Sequence, residues 1–425
     1  MTEKSRTTDL QMESQLDYAG WRVLTASFFG VMTGYSVMVP YTFSMFLKPL
    51  SAAFGWRRDQ ISLAFGFVAV TISLCAPFLG RLLDRYGPRR TLLPCIAVFG
   101  LAFASLAMLS GKIWHLYLVF ILLGLVGNGT TPLGYSRAVA TWFRARRGMA
   151  LAWISAGAGV GAMTLPLLAA SFLSRYGWRF TYAALGLLVL LVGLPLTWLF
   201  VRESNHFLTS TPGRKAAGST VSEAIRTPPF LLLILAIFLY SVTFNGIASH
   251  LSALLTDRGI SLQSSAAALS ILGGCGLAGR ILLGFVLDKF SVTRVSLLLF
   301  VVTVVGVVLL SRSGQHSPFI AIALLGFAAG GESDISPYLL SRYFGLGPFA
   351  TLYGFAWMAF AAGMAVGPFL MGRLYAVTGT YLAGGLRLFA IPTAISALLM
   401  AIMPDYPALE DENSAAGQWA IETPA

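Results

Sequence analysis

The sequence predicts an all-α membrane protein: twelve transmembrane helices in two pseudo-symmetric six-helix bundles. Three observations carry this. The 425 residues are 56% hydrophobic and only 11% charged, whereas soluble domains hold about 25% charged residues. The apolar residues gather in runs near the roughly 20 residues a helix needs to cross a bilayer. One polar segment, 202–228, divides those runs six and six. The polar–apolar alternation of membrane strands is missing, so the crossings read as helices.

Spans 1 to 6 are read at 22–47, 60–83, 91–110, 114–141, 149–173 and 179–201, and spans 7 to 12 at 229–256, 264–287, 294–311, 316–341, 348–372 and 382–403. The chain thus divides into a tail (1–21), a first bundle (22–201), a linker (202–228), a second bundle (229–403) and a second tail (404–425). The first tail is polar and lacks the pattern of a secretory signal. Cys75, Cys95 and Cys275 all fall inside spans, as small packing residues rather than a disulfide framework or metal set.

The net charge of +12 does not imply nucleic acid. With the N-terminus in the cytoplasm, the cytoplasmic side carries about 17 basic residues and the other side about 10, the positive-inside asymmetry. Both termini are then cytoplasmic, and the expected location is a cell (inner or plasma) membrane.

The two bundles repeat each other. After span 2 comes 80-GRLLDRYGPRR-90; after span 8 comes 284-GFVLDKFSVTR-294. Both read G-x-x-x-D-[RK]-x-x-x-x-R. In span 5, 157-GAGVG-161 precedes Pro166; in span 11, 363-GMAVG-367 precedes Pro368. Parallel halves about an axis along the membrane normal are a transporter signature, with the solute bound near the midplane between them.

Charge inside the spans is sparse. Arg280 lies in 273-GGCGLAGRILLGFVLDKF-290, with no acid within seven residues on either side. An arginine at the centre of a membrane helix costs about 2.5–3.5 kcal/mol on insertion scales, and such residues mark function by default. Its planar fork matches a carboxylate, which would offset the cost. Of the 17 acids, only Glu332 and Asp334 lie well inside a span, in the cytoplasmic half of span 10. Arg137 occupies the equivalent half of span 4. An ion pair between Arg137 and one of these acids would latch the halves on the cytoplasmic side. Uncharged polar residues near the midplane are Tyr35 and Tyr41 in span 1, Asn128 in span 4 and Asn245 in span 7. Each could line a solute site or join helices. His250, near the end of span 7, could titrate near neutral pH.

These features resemble the major facilitator superfamily over about residues 20–403. The segment 80–90 is similar to its loop motif between spans 2 and 3. The resemblance gives Gly80, Asp84, Arg85, Arg89 and Arg90 a conformational role, with Asp288 and Lys289 as a weaker second copy. Within the superfamily, 142-WFRARRGMALAWISAGAGVG-161 and 265-SAAALSILGGCGLAGR-280 are similar to the monocarboxylate transporters entering span 5 and along span 8. The oxalate/formate antiporters share much of the pattern. The resemblance makes Arg280 the carboxylate-binding residue. Tyr41 stands where monocarboxylate transporters carry a lysine, and Gly276 where they carry an aspartate. The lysine of oxalate exchangers in span 11 is absent. One central positive charge suits a monoanion.

The expected function is therefore secondary transport of small organic anions, foremost monocarboxylates, by alternating access. The partners are a small carboxylate, a proton where transport is proton-coupled, and the lipid bilayer. Export or exchange of another amphipathic solute, or a transporter-like sensor, are the alternatives. No phosphate loop, metal cluster or nucleophile–base set is visible, so no cofactor, metal or enzymatic activity is expected. A monomer is the expected state.

Overall fold

The computed structural model describes residues 13, 15, 17–143, 146–202, 221–287, 292–312, 318–344, 349–381 and 385–404. These are helical almost throughout. Among them, nine helices are long and apolar enough to cross a membrane. Spans 5 and 6 lie in the stretch Met149–Phe200. Its continuity is broken at Gly177, with φ 77° and ψ 178°, a left-handed value that glycine adopts without steric cost. Spans 5 and 6 part at this glycine, inside the connection expected at 174–178. Spans 10 and 12 appear as the shorter apolar helices Phe319–Glu332 and Leu386–Ala401. In span 10 the helix itself continues to Phe344.

Large apolar side chains also point outward. Leu118, Leu191, Leu298 and Leu398 are all at least 60% exposed. A soluble surface does not carry such a band, whereas acyl chains cover it. The face that carries the chain ends is called here the terminal face, and the opposite one the far face.

Two helices of the first bundle are discontinuous at mid-depth, and each mends the other. Span 1 is built from Ala19–Met32 and Tyr35–Phe54. Span 4 is built from Ile113–Gly127 and Pro132–Trp142, with a 3-10 turn at Asn128–Thr130 between them. In hydrocarbon a broken helix must find partners inside the protein. The Tyr35 amide donates to the Thr130 hydroxyl (2.9 Å), which donates to the Gly127 carbonyl (2.8 Å). The Asn128 amide donates to the Ile72 carbonyl of span 2.

The second bundle has a stiff pair instead. A Cβ at Gly330 of span 10 would collide with the Gly276 carbonyl of span 8, and one at Gly279 with the Phe327 carbonyl. Small residues let membrane helices approach backbone to backbone. This packing sets Arg280 and Glu332 at nearly the same depth, within about one turn.

The halves meet along spans 2 and 11, 5 and 8, and 1 and 7. The pseudo-symmetry exchanges span 2 with 8 and 5 with 11, so the first two seams are equivalent. Near the far face they are tight: a Cβ at Gly372 would lie 2.7 Å from the Asp59 Cα, and Gln263 Nε2 donates to Ser174 Oγ (3.2 Å). At the terminal ends of spans 2 and 11, Gly80 and Gly354 have nothing among the described residues within 4 Å of a built Cβ. The seam therefore loosens toward the terminal face.

Gly330→Leu should prise spans 8 and 10 apart and cost about 1–3 kcal/mol, the usual overpacking penalty. Thermal unfolding in detergent should show a clear fall in Tm, while Gly354→Leu, placed in open space, should leave Tm unchanged or raise it slightly.

Candidate functional site

A polar cluster lies where the halves face each other at mid-depth. Arg280 of span 8 is half-buried, and its charge is felt at the Tyr41 hydroxyl of span 1, in the other half. Tyr240 of span 7 lies in the field of both Tyr41 and Glu332. Glu332 is buried and accepts from Ser336 Oγ, one turn on (3.4 Å). One cation, one acid and two phenols from spans 1, 7, 8 and 10 thus converge. The Tyr240 hydroxyl is buried without a hydrogen-bond partner among the described residues. Sequence reading passed over Tyr240; the available signal was its position one turn before Phe244 and Asn245 on a span already holding polar residues.

The remaining candidates occupy other surroundings. The Tyr35 ring lies against Gly127, and its hydroxyl is likewise buried without a partner among the described residues. Asn128 joins span 4 to span 2, as described above. Asn245 donates to the Ser241 carbonyl and hydroxyl (3.1 and 3.0 Å), and Ser241 Oγ donates to the Phe360 carbonyl of span 11 (2.6 Å). Arg137 is half-buried on Pro132–Trp142. The side chains of Asp334 and Asp84, and the whole of Asp288 and Lys289, lie outside the described residues.

The loop motif ends span 2 at Tyr86. Gly87 (φ 77°) makes the turn, and Pro88 opens span 3; proline suits a first helical turn, where its missing N–H is not needed. Arg85 stacks on Tyr86 (5.3 Å), and Arg89 lies 5.9 Å from the Trp198 ring at the end of span 6. The motif therefore contacts a neighbouring span end, while Gly80 stands clear.

A second constellation, at the far face, gathers His250, singled out in the sequence, with charged residues that were not. Arg58, at the start of span 2, grips Asp257 at the end of span 7 with both arms of its guanidinium (2.6 and 3.2 Å). Lys48 of span 1 adds a third bond to Asp257 (2.8 Å). Arg58 also donates to the Tyr381 hydroxyl (2.7 Å) and lies 3.8 Å over the Tyr375 ring. Burial pushes the Tyr381 hydroxyl pKa up, beyond what the Arg58 charge can offset, so the phenol stays neutral. Its oxygen lies 2.9 Å from His250 Nδ1. His250 Nε2 faces the Pro368 carbonyl (3.0 Å) and Ser62 Oγ (2.9 Å). Asp59 faces Arg373 across the same seam (3.8 Å) while holding Arg57 (2.6 Å). Span 2 is set for this role by its own start, where Gln60 accepts from the Arg57 amide (3.0 Å) and Asp59 in the first turn suits the helix dipole. The signal in the sequence was 55-GWRRDQ-60: two arginines on the face that the positive-inside rule leaves poor in them.

Comparison with known proteins agrees with this architecture. Residues 24–368 match the family model described as Major Facilitator Superfamily. The relatives include the uncharacterised MFS-type transporter YhjX of Escherichia coli K12, 26% identical over 78% of this chain and 83% of that protein. The oxalate:formate antiporter of Oxalobacter formigenes is also 26% identical, over 76% of this chain and 77% of its own. The riboflavin transporter MCH5 of Saccharomyces cerevisiae is 25% identical, over 71% of this chain and 61% of its own. In fold, the chain matches a bacterial homologue of the human lysosomal transporter Spinster, solved inward-facing and unoccupied. The TM-score is 0.72 at 16% identity, covering 93% of this chain and 100% of that one. The family match over most of the chain, on a helical fold with nine candidate spans among the described residues, has one conclusion: this protein belongs to the Major Facilitator Superfamily of membrane transporters.

Proposed function

We propose that this transporter carries small organic anions, most simply monocarboxylates, by alternating access, and that the state described is open toward the cytoplasm. The observation that carries the proposal is Arg280. It is a single cation at mid-depth, in electrostatic contact with Tyr41 of the opposite half. A carboxylate bound there would meet groups from both bundles, so its arrival is sensed by both. Tyr240 supports the reading, because a buried hydroxyl without a partner is costly, and a solute oxygen would satisfy it.

The orientation rests on charge. The terminal face holds the excess of Lys and Arg, so it is assigned to the cytoplasm, with both tails, in a cell membrane. The far-face bonds then close the outside. In the opposite state, Arg137 would meet Glu332 or Asp334 and close the inside. Energy comes from solute or proton gradients. A wider solute class is favoured by one observation: relatives include transporters named for riboflavin and for sialic acid.

Uptake into proteoliposomes of radiolabelled formate, lactate, pyruvate, oxalate and riboflavin tests the reading. Losing a charged hydrogen bond costs about 1.5–3 kcal/mol, so Arg280→Ala should weaken carboxylate uptake about 10- to 100-fold. Arg280→Lys should restore little, because the fork is lost. Full carboxylate transport in Arg280→Ala would make the arginine structural.

Tyr240→Phe should raise KM about 2- to 10-fold, the worth of one neutral hydrogen bond. Its Tm should hold or rise, since that hydroxyl has no partner among the described residues. A fall in Tm with unchanged KM would make Tyr240 a packing residue only.

Arg137→Ala should slow exchange while substrate binding from the cytoplasmic side persists, because the inward-closed state loses its latch. Unchanged exchange rates would sink the latch.

A further inference from the structure

The far-face network has a feature that sealing alone does not need: it is closed on a histidine. His250 is completely buried and both ring nitrogens are engaged. The protons can be assigned from the partners. The Pro368 carbonyl only accepts, so Nε2 carries a proton. Ser62 Oγ shares that proton, because its own goes to the Arg58 carbonyl (2.7 Å). The Tyr381 oxygen accepts from Arg58, which directs the phenol proton to Nδ1. The sealed arrangement thus fits the neutral ring with its proton on Nε2.

A second proton would sit on Nδ1, pointing at the Tyr381 hydroxyl. That hydroxyl would have to turn its own proton away, and the bond would be lost as made. The new charge would stand beside Arg58, whose charge already reaches the ring. The acids nearby are committed: Asp257 to Arg58 and Lys48, Asp59 to Arg57 and Arg373. From span 11 the ring meets Tyr381 and, behind it, Tyr375. Span 12, Leu386–Ala401, carries one ionisable residue, Arg387, which is exposed. Arg280 and Glu332 lie deeper in the membrane, Arg280 by about 15 Å at the helical rise.

We propose that His250 is a proton site that senses the state of the far-face seal: neutral when the halves are closed there, protonated when they part. The proposal rests on the alternating-access reading. Opening separates Ser62 and Arg58 from His250 and Tyr381, and admits water to the ring. An imidazole in water titrates near 6.5. Because the proton binds the open form and is excluded from the closed one, acid on the far side favours opening. The ligand is a proton, and the expected consequence is a transporter that waits outward-open in acid surroundings.

The test uses the full chain in nanodiscs, with Cys75, Cys95 and Cys275 replaced by Ala. Spin labels on Ala53→Cys and Ala376→Cys, exposed positions near the far face on opposite halves, report its opening by pulsed distance measurement. The open-to-closed ratio should rise about tenfold from pH 7.5 to 5.5, the amount one group of pKa near 6.5 supplies. His250→Gln keeps a donor and an acceptor without titrating there; its ratio should stay flat. If that variant does not fold, His250→Asn serves the same purpose. An equal pH response in wild type and either variant overturns the proposal. A flat wild-type response, with opening still seen in Arg58→Ala, overturns it while leaving alternating access intact. A far face that opens in none of these proteins overturns both readings.

Discussion

Within the hydrocarbon layer there is no water to complete a hydrogen bond, and every polar group must find its partner in the protein. Most of the structure follows from that constraint. Spans 1 and 4 can break at mid-depth because the Thr130 hydroxyl receives the Tyr35 amide. His250 can be fully buried because three partners surround it. Asp257 can stand at a helix end between the halves because Arg58 and Lys48 both bind it. The constraint is relaxed at a few buried atoms, the hydroxyls of Tyr35 and Tyr240 among them, which have no partner among the described residues.

The far-face seal also shows why a tight contact can still open. Bringing a charged pair out of water costs nearly as much as the pair regains. The Arg58–Asp257 bridge is therefore selective about partner and geometry without being deep in energy. Tyr375 and Tyr381 improve it by cation–π contact, and the glycine at 372 lets spans 2 and 11 come close enough to form it. A seal of apolar side chains alone would respond to nothing but area.

The parts of this architecture that were legible in the sequence are those set by composition and period. Apolar runs located the spans, the repeated G-x-x-x-D-[RK] loops related the halves, and Arg280 stood out because nothing near it in the chain was charged. The hidden parts depend on contacts between distant segments. Arg58 and Asp257 are 199 positions apart, and each looks like an ordinary charge at a span end. Tyr240 reads as one more aromatic residue until Glu332 and Tyr41 are placed beside it. The short connection between spans 5 and 6 was legible too: the helices part at Gly177, inside the gap between the two apolar runs.

The two bundles differ in mechanical character. In the second, spans 8 and 10 touch main chain to main chain at Gly276 and Gly330, with no side-chain layer between them to shear. In the first, spans 1 and 4 each carry a joint at mid-depth, and span 1 adds prolines at 40 and 49. The first bundle is held main chain to main chain as well, where Gly157 and Gly161 of span 5 meet the Phe28 and Met32 carbonyls of span 1. Its joints are therefore short free lengths between fixed points, like the links of a chain whose pins do not move.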